Sequence, residues 1–170
     1  MRRMIQWVGA VDDKTTAERL SKLSDLHSKN KKEEIHLLVC SYGGETSAAF
    51  AFYDFVRINK MKLVTTGLGM IGSAGVIIWL AGTRRQVSKH SLLFLHNLKH
   101  NVGKETSLEP DELGTVSNRG KKFKQMYAEI VAENSKHKLT SSKVRKMMEE
   151  TCVLTPQEML ELGLAHEILH

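Results

Sequence analysis

Twenty consecutive residues without a charge, Leu63 to Gly82, constrain this chain more than any other stretch. A run of that length suits either a bilayer, whose hydrocarbon core takes about 20 apolar residues, or the interior of a globular protein. Five glycines and three Ser/Thr residues dilute it and favour the interior. Thr65-Thr66-Gly67 is expected to end a strand begun at Lys62-Leu63-Val64. Further on, Val76, Ile77, Leu80 and Ala81 recur at helical spacing, which predicts a buried helix with Ser73 at its start. Around Ser73 the glycines Gly67, Gly69, Gly72 and Gly75 remove bulk, so a backbone can approach a substrate closely. The opening amides of the helix would face a reacting carbonyl.

A second residue gives Ser73 a chemical purpose. Leu92-Leu93-Phe94-Leu95-His96 alternates as a strand with Leu92, Phe94 and His96 on one face. A hydroxyl is a poor nucleophile at neutral pH and needs a base within reach, and histidine is the side chain whose ordinary pKa lies closest. Upstream, Ile35-His36-Leu37-Leu38-Val39-Cys40 is expected to be a buried strand running into Ser41-Tyr42-Gly43-Gly44-Glu45. A helix follows, with Ala49, Phe52, Tyr53 and Val56 on one side. Two glycines at a strand-to-helix turn leave backbone N–H groups uncovered, as an oxyanion hole requires.

These residues resemble the ClpP-type serine peptidases, the family of Clp protease proteolytic subunits. The resemblance is carried by Gly9-Ala10-Val11-Asp12-Asp13, Ser41-Tyr42-Gly43-Gly44 with Tyr53-Asp54, Gly72-Ser73-Ala74, His96, and Thr155 through Gly163, nearly the whole chain. It implies an α/β fold, the spiral of ββα units shared with crotonases, with a long projecting helix, in one peptidase domain over residues 1–170. It also implies Ser73 as nucleophile, His96 as base, and the amides of Gly43 or Gly44 and of Ala74 as oxyanion donors. No metal or organic cofactor is implied. The expected activity is endopeptidase hydrolysis through an acyl-enzyme inside a ring-shaped homo-oligomer, acting on peptides or unfolded proteins.

The chain departs from the family at one chemically important place. Counting back from Thr155-Pro156-Gln157-Glu158 puts Thr151 where the family's triad aspartate stands. A threonine oxygen can orient an imidazole but cannot offset the charge of an imidazolium. Glu150 is adjacent, though in an extended segment it points to the opposite side. Tyr42 replaces the family's usual proline, and Asn97-Leu98 the usual pair after the histidine, which implies a reshaped groove. An ATPase unfoldase is a partner the resemblance admits. Only about three residues precede the first strand, however, where relatives carry a pore-lining segment, and this counts against pore gating.

Rival readings rest on other features. A non-catalytic or weakly active ClpP-like subunit is supported by Thr151, and a crotonase-like acyl-CoA enzyme by the similar oxyanion arrangement. The net charge of +6, with Lys29, Lys31, Lys32, Lys121, Lys122 and Lys124 clustered, raises nucleic acid as a partner. Thin aromatic interleaving and the lack of a binding motif favour solvated faces instead. His96 with His100, and His166 with His170, lack the helical setting of a metal pair. Cys40 and Cys152 are far apart and lack redox spacing, which favours a reducing compartment, the cytoplasm. The start of the chain soon meets Gly9 and Asp12-Asp13 and does not read as a signal peptide.

At 170 residues one domain buries roughly 70% of its unfolded surface. Ser107-Leu108-Glu109-Pro110-Asp111-Glu112 predicts the start of a long helix carrying Phe123, Met126, Tyr127, Ile130 and Val131. By the resemblance, that stripe is expected to face a second ring of subunits. Thr155-Pro156-Gln157-Glu158 predicts a capping box, Gly163 a helix end, and Leu164 to Ile168 a last strand.

Overall fold

Strand β1, Met4–Val8, alternates with Ile5 and Trp7 turned inward. Helix α1, Asp13–Lys29, follows, capped by the Asp12 carboxylate, which accepts from the Thr15 N–H at 2.7 Å. That bond holds the Asp12 carboxyl below its usual range. β2, Ile35–Ser41, buries every second residue, and α2, Thr46–Ile58, buries Ala49, Phe52, Tyr53 and Val56 as its spacing predicts. The computed structural model describes the backbone of residues 3–97 and 110–170, and the side chains of that range apart from 110–113.

β3 spans Leu63–Gly72, α3 spans Ala74–Leu80, β4 spans Arg84–Ser88 and β5 spans Leu92–Leu95. The chain then forms α4, Pro110–Glu133, α5, Ser141–Glu149, β6, Cys152–Leu154, α6, Pro156–Glu161, and β7, Glu167–Leu169. The strands make one mixed sheet in the order β1-β2-β3-β4-β7, with β5 and β6 attached beside β3. All pairings are parallel except β5 with β6.

β3 corrects the expectation of a strand ending near Gly67, because it continues to the residue before Ser73. Its two halves have different neighbours: Val64–Gly67 pair with β4, and Met70–Gly72 with β5. Between them the register against β2 slips, in the stretch containing Gly69 at φ +59. Glycine tolerates that geometry, so the strand survives the irregularity. α3 is wholly buried, which accounts for the uncharged run without a bilayer. Among the described residues no helix is long and apolar enough to cross a membrane.

The expected role of the α4 stripe changes. Tyr127 and Val131 are buried within the chain and Phe123 packs edge-to-face on Phe50, while Met126 stays exposed. The stripe is largely core, because α3 and α5 already cover it. Ser107 to Glu109 lie outside the described residues. The capping box at Thr155 is present, and Gly163 adopts φ +72 after the helix. The last strand is Glu167–Leu169 rather than Leu164 to Ile168, since Leu164 and Ala165 are buried in the turn that follows α6. Trp7 and Phe52 meet edge-to-face at 5.1 Å in the core between β1 and α2.

A buried guanidinium closes the far side of the molecule. Arg85, on β4, donates to the carbonyls of Gly82, Asn134, Gly163 and Leu164 and to Asn134 Oδ1. Burial, and secondarily Arg57, lower its pKa to about 10, so it remains charged at neutral pH.

Candidate active site

Three chain segments converge at the carboxyl end of the sheet, where β2 and β3 each give way to a helix. Ser73 occupies the turn between β3 and α3 at φ +50 and ψ −125. Non-glycine residues rarely adopt that conformation, and it persists only where the surroundings impose it. Here the Ser73 N–H donates to the Phe94 carbonyl on β5 at 3.1 Å. Its carbonyl accepts from the Val76 N–H at 3.0 Å and from the Tyr127 hydroxyl at 2.9 Å. The serine is half-buried, and the strained backbone is held at both ends.

The first glycine pair lies directly against this turn. A Cβ added to Gly43 would stand 2.5 Å from Ser73 Cβ, 3.0 Å from the Gly72 oxygen and 3.1 Å from the Ala74 nitrogen. Gly43 and Gly44 have φ of +110 and +148, which suits glycine. Their chain is pinned to the loop after β1, where the Val11 N–H donates to the Gly43 carbonyl at 2.9 Å and the Glu45 N–H to the Val11 carbonyl at 2.8 Å. The Gly43 N–H itself donates to Ser41 Oγ at 3.0 Å. Tyr42, beside them, is 80% exposed and carries its ring out to solvent.

His96 follows β5 and is half-buried. The parallel register pairs Gly72 with Phe94, so the histidine stands two residues beyond the partner of the residue before Ser73. Its ring lies 5.0 Å from Phe94, on the face the alternation predicts. His96 Nδ1 is 2.6 Å from the Asn97 carbonyl oxygen. A carbonyl only accepts, so Nδ1 carries the proton and Nε2 keeps the lone pair a base needs. Among the described residues no hydrogen bond joins Ser73 Oγ to His96, and such bonds are often long without substrate.

Thr151 and His96 flank the paired ends of β6 and β5. β6 pairs Cys152 with Leu95, so His96 stands one residue after β5 and Thr151 one residue before β6. Its backbone is left-handed at φ +57, because it ends α5 rather than extending β6. Glu150 is exposed at the end of α5, with Lys146 3.7 Å from its carboxylate. Among the described residues neither Thr151 nor Glu150 bonds to His96. Nothing in the sequence pattern singles out Asn97's carbonyl, Ser41's hydroxyl or Tyr127's hydroxyl. The first is backbone, and the other two are ordinary residues of a strand and an apolar stripe.

The other sequence candidates separate from the site. Leu98 and His100 lie outside the described residues. His166 Nδ1 accepts from the Arg85 N–H at 2.9 Å, and burial, then Arg85, lower its pKa to about 4. Among the described residues no group of three His, Cys, Asp or Glu side chains could hold a metal ion. Lys124 is bonded to Glu149 at 2.7 Å, while Lys29, Lys31, Lys32, Lys121 and Lys122 are exposed. Cys40 and Cys152 are free thiols.

A strained serine at a helix start, with amide-bearing glycine turns against it and a histidine on the neighbouring strand end, defines a hydrolase-type site on an α/β scaffold. The family model described as Clp protease matches residues 1–170, and the chain belongs to that family. It is 28% identical to the ATP-dependent Clp protease proteolytic subunit 2 of Tropheryma whipplei (strain Twist), over 99% of this chain and 92% of that protein. It is 29% identical to the proteolytic subunit 1 of Leifsonia xyli subsp. xyli (strain CTCB07), over 96% and 82%. A third relative, the proteolytic subunit 2 of Thermobifida fusca (strain YX), is 25% identical over 99% and 82%. The chain is a Clp-type peptidase, and the crotonase-like acyl-CoA reading is not favoured.

Proposed function

We propose that the chain cleaves peptide bonds in peptides or unfolded proteins through an acyl-enzyme on Ser73. The observation that most supports this reading is the seating of Gly43 against Ser73 and Ala74, which gathers nucleophile and oxyanion donors at one point. Ser73 Oγ attacks the carbonyl carbon while His96 Nε2 takes its proton. The Ala74 amide, with that of Gly43 or Gly44, stabilises the oxyanion. His96 then returns the proton to the amine as the C–N bond breaks, and water repeats the sequence to free the acyl group. Thr151 takes the third position as a neutral neighbour of His96, and the Asn97 carbonyl holds the tautomer meanwhile.

The setting we infer is a homo-oligomeric ring in a reducing cytoplasm, able to accept an ATPase partner. Exposed Met126, Leu92 and Val153 support a neighbouring copy that covers them. The decisive experiment is labelling with a fluorophosphonate probe and peptide turnover in wild type and Ser73→Ala. Labelling and turnover are expected in wild type, and Ser73→Ala should lose both, with turnover falling about a millionfold or to background. An unlabelled, inactive wild-type ring would instead favour the non-catalytic subunit.

A further inference from the structure

We propose that Tyr127 is a positioning residue for the oxyanion hole, acting through the Ser73–Ala74 peptide plane. The inference rests on Ser73 and Ala74 acting as set out above.

The Ser73 carbonyl and the Ala74 N–H belong to one planar peptide unit, so fixing the direction of the oxygen fixes that of the hydrogen. Ser73 φ and ψ put that unit in a sparsely populated orientation, from which an unrestrained peptide would relax. The Tyr127 hydroxyl, 2.9 Å from the oxygen, restrains it from outside the turn. The Val76 N–H, also bonded to this oxygen at 3.0 Å, belongs to α3 itself and moves with the turn.

Tyr127 suits such a task. Its side chain is fully buried on α4, so ring and hydroxyl are fixed by packing rather than by solvent. Burial raises the phenol's pKa well above its ordinary value and keeps the hydroxyl protonated as a donor. α4 follows β5 by more than a dozen residues of sequence, so the restraint comes from an element separate from those that carry Ser73 and His96. Loss of the hydroxyl would leave the nucleophile in place and loosen the donor that must meet the developing negative oxygen.

The test is Tyr127→Phe, which keeps the ring and removes one oxygen. The expected result is a fall in kcat of about tenfold to a hundredfold with KM nearly unchanged, less than the loss of a whole oxyanion donor. Affinity for a peptide boronate, whose tetrahedral adduct places an oxygen in the hole, should fall in parallel with kcat. A merely structural hydroxyl would lower thermal stability and leave the kcat and boronate affinity of the folded fraction unchanged, which would overturn the proposal. Should the phenylalanine variant fail to fold, 3,5-difluorotyrosine at position 127 restores ring and hydroxyl with a stronger donor. It should match or exceed wild-type kcat, and a kcat below wild type would also overturn the proposal. Ser73→Ala runs beside these variants: persistent turnover there would refute the Ser73 reading, whereas an inactive Ser73→Ala beside a fully active Tyr127→Phe refutes Tyr127 alone.

Discussion

Around Ser73 the tertiary structure fixes almost everything, whereas around His96 the described residues supply one hydrogen bond, to the adjoining Asn97 carbonyl, and the Phe94 ring. The serine turn is gripped by β5 through Phe94, by α4 through Tyr127 and by the loop of Gly43. The histidine has the Asn97 oxygen at Nδ1, and among the described residues neither Thr151 nor Glu150 bonds to its ring. On the proposed mechanism the nucleophile and oxyanion donors are thus held to close tolerance, while among the described residues no carboxylate bonds to His96. In serine proteases these parts contribute separately, since neutralising the triad carboxylate costs about ten-thousandfold in rate and leaves the oxyanion hole working.

Breaking the tight half should have the larger effect. Gly43→Ala forces a methyl to 2.5 Å from Ser73 Cβ at φ +110 and should lose about 2–5 kcal/mol of stability together with nearly all turnover. Gly9 has nearly the same φ, +108, but a Cβ there meets nothing within 4 Å. Gly9→Ala therefore isolates the backbone cost, and chemical denaturation of both variants should show Gly43→Ala distinctly less stable. Equal losses would mean that the close approach to Ser73 is unimportant.

Sharpening the loose half should raise activity. Thr151→Asp is expected to increase acylation at least tenfold, with the triad effect of about ten-thousandfold as its ceiling. A β-branched residue at φ +57 is also strained, and Asp and Asn both tolerate that region better. Thr151→Asn should share the gain in stability, up to about 1 kcal/mol, without the gain in rate. Equal acylation rates for the two variants, measured by stopped-flow ester hydrolysis, would show that charge at position 151 does not reach His96.

Legibility in the sequence followed the same division. The strand, glycine turn and helix of Ile35 to Val56 could be read because burial alternates and the turn needs glycine. The end of β3 could not, because Gly67 and Gly69 signal a turn locally while two partner strands hold the backbone extended. α1, α5 and β4 were not assigned from sequence, although Asp12 and Thr140 are capping residues that mark both helices. β4, Arg84-Arg85-Gln86-Val87-Ser88, is too polar to look like an inner strand, and becomes one because carbonyls surround Arg85. Ser73 and His96 were legible as chemistry, but Tyr127 resembled core because hydroxyl partners 54 positions apart leave no local pattern.

The smallest expected effect lies far from the site. His166 has its pKa lowered to about 4, mainly by burial and then by Arg85, from the ordinary imidazole value of 6.5. The unfolded chain therefore takes up the proton first, and the stability this residue contributes above about pH 6.5 is lost as the pH falls towards 4. Thermal midpoints of wild type should drop across that window, and those of His166→Asn should drop less. Parallel pH curves for the two would remove His166 as a source of the acid sensitivity.

Arg85 gives the C-terminal third of the chain an unusual kind of fastening. Its cation is wrapped by carbonyl and amide oxygens, much as an ionophore wraps a metal ion, and among the described residues no carboxylate pairs with it. Those oxygens come from the approach to β4, the end of α4 and the turn after α6, so one planar fork cross-links segments nearly 80 positions apart. The oxygens do not titrate, and a buried cluster is shielded from added salt, whereas the His166 ring 3.3 Å from the guanidinium does titrate. The clasp should hold in brine and loosen only as His166 takes up a proton near pH 4, and a lysine, with one point of attachment where the guanidinium has five N–H groups, could not tie the same knot.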